Sequence, residues 1–237
     1  MKSPRETKAK SADAVPRVRT SLGPDDIYPA VKRMAASYEF KPNERINEIE
    51  LSKKLSVSRT PLREVLNRLM VEGFLTRTQN KGFIARPLDA QEILSLIEFR
   101  RGLEGCIARI ACARATDAEI EELEMFSEAS FKADENVEAA QLCRLDEEFH
   151  MKIARMTRNA EYVRALENVN ARIYYVRWLD MENRRTNTET EHQAIVRALK
   201  ARNPDEVAAL IEGHIARRLD HIAEVVQRGF GEIYTRR

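Results

Sequence analysis

The chain has 237 residues, of which 43% are hydrophobic and 33% charged, which is ordinary for a soluble protein with room for two modest domains. No apolar run is long enough to span a bilayer and the N-terminus lacks a secretory signal, so we expect a cytoplasmic protein without a membrane partner. The cysteines are odd in number and form no CxxC pair. We expect Cys106, Cys112 and Cys143 to be small buried residues in a reducing compartment.

The formal net charge of +2 conceals an uneven distribution along the chain. Residues 1–87 contain 18 Lys and Arg against 10 Asp and Glu, a charge of +8, whereas residues 88–237 contain 22 against 28, a charge of −6. A basic first part attracts a polyanion and an acidic second part is repelled by it. The distribution therefore predicts a protein that turns its first part toward nucleic acid.

The first 22 residues are rich in Lys, Arg, Ser, Ala and Pro and hold almost no large apolar side chains. Such a composition does not form a core, so we expect residues 1–22 to be a disordered basic tail. It could add nonspecific phosphate contacts or remain a solvated arm. From residue 25 to 38, Ile27, Val31 and Met34 recur at helical spacing. They predict the first helix of a domain that extends over residues 23–87.

An amphipathic helix that begins near residue 59 dominates this domain. Its apolar residues recur every three or four positions and predict one buried stripe, formed by Leu62, Val65, Leu66, Leu69 and Met70. Ser58 or Thr60 can cap its start, and Gly73 can end it. Arg59 and Arg63 lie off the stripe. The start of the helix therefore offers N–H groups to phosphate and guanidinium groups that could reach guanine.

The neighbours of this helix complete a helix-turn-helix with a wing. Residues 50–55 predict a short preceding helix, and residues 56–58 a turn. Two strands at 74–78 and 83–86 flank Asn-Lys-Gly at residues 80–82, which suits a hairpin tip with an exposed cation. A short amphipathic helix in any soluble protein can carry solvated arginines. The complete arrangement nevertheless favours a DNA-binding unit.

The run ELSKKLSVSRTPLREVLNRLMVEGFLTRTQNKGFIARPL resembles the DNA-binding domain of the GntR family of bacterial transcriptional regulators, and the match extends over residues 45–88. The resemblance implies a winged helix-turn-helix that contacts operator DNA through Ser58, Arg59, Thr60, Arg63, Lys81 and Gly82. Many FadR-like members carry an arginine at the start of the second helix, where this chain has Ile49. The DNA contact that this arginine makes in the family is therefore not expected here.

After Pro87 the sequence predicts an all-helical bundle over residues 88–237. Capping-box spacings and a proline-marked start occur at Asp89–Glu92, Thr116–Glu119, Thr188–Glu191 and Asn203–Glu206. They predict six helices, near residues 89–114, 117–130, 137–157, 160–181, 189–202 and 204–228.

Three histidines and one aspartate fall on the apolar faces of these predicted helices: Asp146, His150, His192 and His214. Asp146 and His150 are one helical turn apart, so their side chains can converge. A buried carboxylate needs a partner, and one metal ion would satisfy all four groups. A histidine on an apolar face is also typical of a hydrogen-bonded core residue, so both interpretations stay open. His221 lies two turns beyond His214, and we expect it at a surface.

This second part is similar to the all-helical FCD ligand-binding domain of the FadR subfamily, through EFRRGLE, DEEFH, EHQAI and the turn around His214. The resemblance implies that Asp146, His150, His192 and His214 ligate a divalent metal ion, and Zn, Ni, Mn and Fe all suit this donor set. It also implies a small-molecule effector. We expect a small organic acid at the metal, with Arg100 holding its other end.

Together these features predict a homodimeric transcriptional regulator, commonly a repressor, whose winged domains read a two-fold symmetric operator under the control of the effector. Three aromatic residues, Tyr174, Tyr175 and Trp178, could line the effector cavity or simply belong to the core. Two alternatives remain. A metal-dependent hydrolase or oxygenase could use the Asp and three His to activate water, although no separate catalytic signature supports an enzyme. A pure metal sensor would respond to the ion alone.

Overall fold

The computed structural model describes residues 22–78, 82–131, 138–181, 185–217 and 221–235. These residues form ten helices and one two-stranded antiparallel sheet. The predicted basic tail, apart from Leu22, and Lys81 at the predicted hairpin tip lie outside the described residues.

The first part of the chain contains three helices and the sheet: α1 (Pro24–Ala36), α2 (Glu48–Lys54), α3 (Arg59–Val71), β1 (Leu75–Thr78) and β2 (Gly82–Ala85). The two strands pair from Leu75 opposite Ala85 to Thr78 opposite Gly82. The predicted apolar stripe of α3 is buried, except that Met70 is only partly covered. It packs against Ile27 and Val31 of α1, which confirms the helical spacing predicted there.

Local sequence explains where α2 and α3 begin and end. The side chain of Asn47 caps α2 by accepting hydrogen bonds from the backbone N–H groups of Ile49 and Glu50, at 3.1 and 3.3 Å. Gly73 ends α3 with a φ of +82°, a conformation that glycine adopts without the penalty of a Cβ atom. Just before α2, the chain pairs with β2 through a hydrogen bond of 2.9 Å from the N–H of Ile46 to the carbonyl of Phe83. The start of α2 is therefore fixed beside the wing.

The second part of the chain is all helical within the described residues: α4 (Ala90–Arg114), α5 (Asp117–Phe131), α6 (Ala139–Met156), α7 (Ala160–Met181), α8 (Arg185–Lys200), α9 (Pro204–Ala216) and α10 (Ile222–Thr235). Helix α4 packs along α9, and α6 packs along α7. One apolar core joins these helices, and a separate one lies within the first part of the chain. None of the described helices is long and apolar enough to cross a membrane.

The predicted start of α8 was wrong. The helix begins at Arg185, so Thr188 lies inside it and is not its N-cap residue. The carboxylate of Glu191 instead accepts a hydrogen bond from His214 Nδ1 and pairs with Arg217. The spacing of Thr188 and Glu191 is that of a capping box, but the Glu191 carboxylate contacts α9 and the residue that follows it.

The prediction of one helix over residues 204–228 was also wrong, because the structure has α9 and α10 there as two helices. Their buried residues continue a single helical period, from Val207 through Ile211 and Ile215 to Ile222 and Val226. Helix α9 packs against α4 and α8, whereas α10 packs mainly against α7. Periodicity identifies the buried residues but not the helices against which they pack. The pattern therefore could not show that α9 and α10 are separate helices.

The cysteines differ in exposure. Cys112 and Cys143 are buried, as expected, but Cys106 is exposed on α4, so that expectation was wrong. It lies one turn after Gly102 on the face of α4 that the described residues leave uncovered. The identity of a cysteine is therefore weaker evidence of burial than its position on a helix.

The two parts of the chain meet along α7. The amide of Asn168 donates to the carbonyl of Glu72 at 3.1 Å, and Arg86 Nη2 donates to the carbonyl of Arg172. The guanidinium of Arg172 pairs with Glu92 at 3.0 Å and lies against Gly73, where an added Cβ would be 3.0 Å from its Cζ. The end of α3 is therefore docked on the middle of α7.

Candidate metal centre and DNA-contact surface

Asp146 and the three predicted histidines converge inside the helical part. Asp146 and His150 lie on α6, His192 on α8 and His214 on α9, and each is at most 3% exposed. Asp146 Oδ1 is 3.9, 3.3 and 3.5 Å from the Nε2 atoms of His150, His192 and His214. One ligand atom from each residue lies within 4.8 Å of the others. The structure thus brings together the four residues that the sequence placed on three separate helices.

Two further carboxylates, which the sequence analysis missed, orient two of these histidines. Glu104 on α4 bonds His150 Nδ1, and Glu191 on α8 bonds His214 Nδ1. A carboxylate beside Nδ1 accepts a hydrogen bond from the Nδ1–H of a neutral imidazole. The lone pair is then on Nε2, which here faces Asp146. The Nε2 atoms of His150 and His214 are buried and have no hydrogen-bond partner among the described residues. This arrangement fits a metal ion.

Each carboxylate of this cluster also pairs with its own arginine. Asp146 Oδ2 accepts from Arg177 at 2.8 Å, and Glu104 accepts from Arg100 at 2.5 Å. Glu191 pairs with Arg217 at 2.8 Å. The charges of the carboxylates are therefore balanced without a protonated histidine.

Burial keeps two of the histidines, His192 and His150, in the form that binds a metal. It lowers the pKa of His192 to about 3, although Asp146 opposes the change. The ring of His192 also stacks on Phe149 at 3.7 Å. Burial likewise lowers the pKa of His150, even though Glu104 favours its charged form. Both imidazoles are neutral at pH 7, as metal ligation requires.

The same environment keeps the surrounding groups charged. Burial raises the pKa of Glu104, but Arg100 and His150 together outweigh burial and lower this pKa to about 2. Burial disfavours the charge of Arg177, but nearby groups, Asp146 and Glu147 among them, raise its pKa above the ordinary range. His150 and His192 are therefore neutral imidazoles inside a shell of fixed ion pairs.

Two narrow cavities adjoin the cluster. The first has a volume of about 30 Å³, enough for about two water molecules, and Asp146 and His192 line it together with side chains of α5, α6, α7 and α8. The second, of about 10 Å³, is lined by Arg100, Arg177 and mostly apolar neighbours. Arg100 therefore reaches a cavity beside the cluster while its Nε donates to Glu104.

The three aromatic residues of α7 occupy another place. Tyr174, Tyr175 and Trp178 line a groove with Ser37 and the start of α6, and they contribute to neither of the two cavities. The Tyr175 ring is buried against Tyr38, with a centroid distance of 5.4 Å. The fourth histidine, His221, lies on the surface near Glu224, as expected.

Five of the six predicted DNA-contact residues are described, and they lie at the start of α3 and on the wing. Ser58, Arg59, Thr60 and Arg63 are all exposed, and Ser58 occupies the N-cap position without a side-chain capping bond. Gly82 begins β2 with a φ of +72°. The described part of this surface thus combines an exposed helix start with one end of a wing strand.

One carboxylate that the sequence analysis did not single out lies within this surface. Glu48 Oε2 is 3.2 Å from Arg63 Nε and 3.8 Å from Arg59 Nη2. Both arginines remain more than half exposed. The spacing of four residues between them indicates a shared helix face, but no local pattern connects that face to Glu48 on α2.

Two family models match the chain. Residues 24–84 match the model of bacterial regulatory proteins of the gntR family, and residues 95–217 match the model of the FCD domain. The first range covers α1 to the wing, and the second covers the Asp–His cluster.

Characterised relatives match along most of their length. The Nta operon transcriptional regulator of Aminobacter aminovorans is 45% identical over 203 residues, which cover 86% of this chain and 96% of that protein. The HTH-type transcriptional repressor RspR of Escherichia coli is 22% identical over 89% of this chain and 95% of that protein.

Solved structures share the fold. Escherichia coli McbR/YncC aligns with a TM-score of 0.65 at 19% identity, over 89% of this chain and 96% of that chain. A GntR family member from Pseudomonas syringae aligns with a TM-score of 0.52 at 18% identity, over 86% of each chain. At these identities the likeness shows the arrangement of the helices and the wing, and nothing about ligands.

Proposed function

Because the chain belongs to the GntR family of bacterial regulatory proteins and carries an FCD domain, it is a transcriptional regulator, and we propose that a small carboxylate bound at a metal ion controls its affinity for an operator. The observation that carries the proposal is the buried cluster of Asp146 with three imidazoles beside two cavities in the FCD domain.

In the proposed complex with DNA, the start of α3 enters the major groove. Arg59 and Arg63 supply guanidinium groups to base edges or phosphates, and Ser58 and Thr60 supply hydroxyl groups. Lys81 and Gly82 at the wing contact the adjacent backbone. The charge of +8 in residues 1–87 supports this orientation, since it attracts the phosphates.

In the FCD domain, Asp146, His150, His192 and His214 would hold a divalent ion such as Zn, Ni, Mn or Fe. The ion would supply a Lewis-acidic centre that binds a carboxylate oxygen. Glu104 and Glu191 hold the rings of His150 and His214 with Nε2 toward Asp146. The named relatives are transcriptional regulators, so we assign the cluster a binding role and no catalytic one.

The effector would be a small organic acid. Arg100 is our candidate for holding its second polar end, because Arg100 and Arg177 line the same cavity, together with Asp180 and apolar residues. The cavities have volumes of only about 30 and 10 Å³. Binding of an organic acid therefore requires the surrounding helices to move apart, and this movement gives the effector different affinities for two conformations.

Helix α7 can carry that movement to the DNA-binding part. Arg177 on α7 bonds Asp146, and Arg172 and Asn168 on the same helix contact Gly73 and Glu72 at the end of α3. A shift of α7 would therefore change the orientation of α3. In a homodimer that reads a two-fold symmetric operator, such a shift would change the spacing of the two recognition helices. The proposal places the protein in the cytoplasm, with repression as the expected mode of regulation.

Metal analysis of the purified protein tests the proposal. We expect about one ion per chain, lost in both His150→Ala and His192→Ala and retained in the control His221→Ala, whose residue lies on the surface. Wild-type protein dialysed against each candidate metal and found without a bound ion would contradict the metal centre.

The operator measurement separates the alternatives. Operator affinity that changes on addition of small carboxylates to the metal-loaded protein supports the effector proposal. Affinity that changes with metal alone, and with no carboxylate, would instead make the protein a metal sensor. Operator affinity that is the same under all these conditions would contradict the regulatory proposal.

A further inference from the structure

We propose that Glu48 is a positioning residue, which holds Arg59 and Arg63 in the orientation needed to read base edges and so sets the sequence specificity of operator binding. This inference rests on the proposed DNA-binding function.

The backbone of Glu48 is fixed from both sides. It is the first residue of α2, and the Asn47 side chain caps the two following N–H groups. Two residues before the helix, Ile46 donates its N–H to the carbonyl of Phe83 in β2, and Arg45 forms a bridge with Ile84. Glu48 is therefore attached both to α2 and to the wing, and its position does not depend on its own side chain.

The side chain of Glu48 joins all the described elements of the DNA-contact surface. Only 16% of it is exposed. Its Oε2 meets Arg63 Nε at 3.2 Å and Arg59 Nη2 at 3.8 Å, and its Oε1 is 4.0 Å from the position that a Cβ would take on Gly82. One carboxylate thus lies between the start of α3 and the first residue of β2.

A carboxylate in this place opposes simple attraction to DNA, because it repels phosphate and reduces the local positive charge. Its contacts have a different benefit. Arg59 and Arg63 are one turn apart on α3 and carry like charges, so without Glu48 their long side chains repel each other and sample many rotamers. A shared carboxylate restricts both guanidinium groups before DNA arrives, and restricted groups lose less freedom on binding. Glu48 should therefore matter for sequence recognition and not for general affinity.

The test starts from the full-length wild-type protein and a library of random 30-bp DNA duplexes, from which bound sequences are selected and sequenced. Affinity is then measured for the enriched duplex and for a scrambled duplex of the same composition, at one fixed salt concentration. We expect Glu48→Gln to reduce the ratio of the two affinities on the order of tenfold, through weaker binding of the enriched duplex. Affinity for the scrambled duplex should stay constant or rise, since one negative charge is lost.

Glu50→Gln is the matched control, because it removes the same charge from the first turn of the same helix at an exposed side chain. We expect it to leave the ratio within about twofold of the wild-type value. In an Arg63→Ala background, Glu48→Gln should change the ratio much less than it does in the wild type, because one of the two positioned groups is already absent.

Outcomes that leave the ratio of the two affinities unchanged would overturn the inference. Equal gains in affinity for both duplexes in Glu48→Gln would show that the carboxylate only repels DNA. Equal losses for both duplexes would show that it only supports the fold of the domain. If the wild-type protein enriches no sequence at all, the proposed DNA-binding function fails. If it does enrich one and Glu48→Gln keeps the wild-type ratio, only the role of Glu48 fails.

Discussion

The cluster around Asp146 and the surface around Glu48 use the same chemical pair, a carboxylate and an arginine, at opposite degrees of exposure. At most 3% of the Arg100 and Arg177 side chains is exposed, whereas more than half of the Arg59 and Arg63 side chains is exposed. Breaking a buried pair leaves a charge in a medium of low dielectric constant, but breaking a pair at an exposed arginine returns the guanidinium charge to water. Buried pairs therefore contribute strongly to stability, whereas the pairs of Glu48 cost little to break and leave the other donors of Arg59 and Arg63 accessible.

The largest effect should come from Glu104→Ala, which removes the buried carboxylate bonded to both Arg100 and His150. We expect the free energy of unfolding, measured with urea at pH 7, to fall by about 3–5 kcal/mol, because the guanidinium stays buried without its carboxylate. The double variant Arg100→Met with Glu104→Leu should lose less, since it removes both charges of this pair and leaves neither buried without the other. A loss below about 1 kcal/mol in Glu104→Ala would mean that this pair behaves like an exposed one.

An intermediate effect should come from Glu72→Gln, at the end of α3. The Glu72 carboxylate accepts a hydrogen bond from Tyr28 Oη at 2.6 Å and pairs with Lys32 at 3.2 Å, and 20% of its side chain is exposed. Burial raises the pKa of Glu72, but the hydrogen bond from Tyr28 and the pair with Lys32 outweigh burial and lower it below its ordinary value. We expect a loss of about 1 kcal/mol in the free energy of unfolding at pH 7.

The pH dependence of the Glu72→Gln effect has a definite sign. Because the pKa of the folded state is lowered, the stabilisation is complete above the unfolded carboxyl pKa of about 4.3 and disappears as the pH falls through the folded value. Urea unfolding of wild type and Glu72→Gln, repeated from pH 7 downward, should show the difference shrinking below about pH 4. A difference that stays constant with pH would mean that the charge of Glu72 contributes nothing.

The smallest effect on stability should come from Arg59→Ala combined with Arg63→Ala. Because both side chains are largely exposed, we expect the free energy of unfolding to change by less than about 0.5 kcal/mol, while affinity for the enriched duplex falls at least about tenfold. Arg101→Ala, an exposed arginine on α4, should change neither quantity. Loss of stability in the double variant, comparable to that of Glu104→Ala, would remove the distinction between the two regions.

Local sequence was sufficient for the features that depend on neighbouring residues. The apolar stripe of α3 predicted a buried helix face, and Asp89 caps α4 through the N–H of Glu92 at 2.8 Å, as its spacing indicated. Thr116 and Glu119 form the reciprocal bonds of a capping box. These interactions connect residues three or four positions apart, so the chain itself sets their geometry.

Features that depend on packing between helices were not predictable in the same way. The convergence of Asp146 with His192 and His214 was inferred from the apolar faces that carry them, because a buried polar group needs a partner. Glu104 and Glu191 gave no such indication, since a glutamate near a helix surface is usually solvated. The contact of Glu48 with Arg63 likewise depends on the angle between α2 and α3, and the spacing of residues within one helix cannot predict that angle.

The docking of α3 on α7 has a consequence for chimeric regulators made by exchanging domains between relatives. The boundary between the two domains lies at Pro87 in the sequence. The end of α3 is nevertheless held by Asn168 and Arg172, which belong to the second domain. A winged domain joined to a foreign FCD domain would lose the hydrogen bond to the Glu72 carbonyl and the acceptor of Arg86. Such a chimera should therefore transplant the middle of α7 together with the winged domain if the foreign effector is to be read out at the operator.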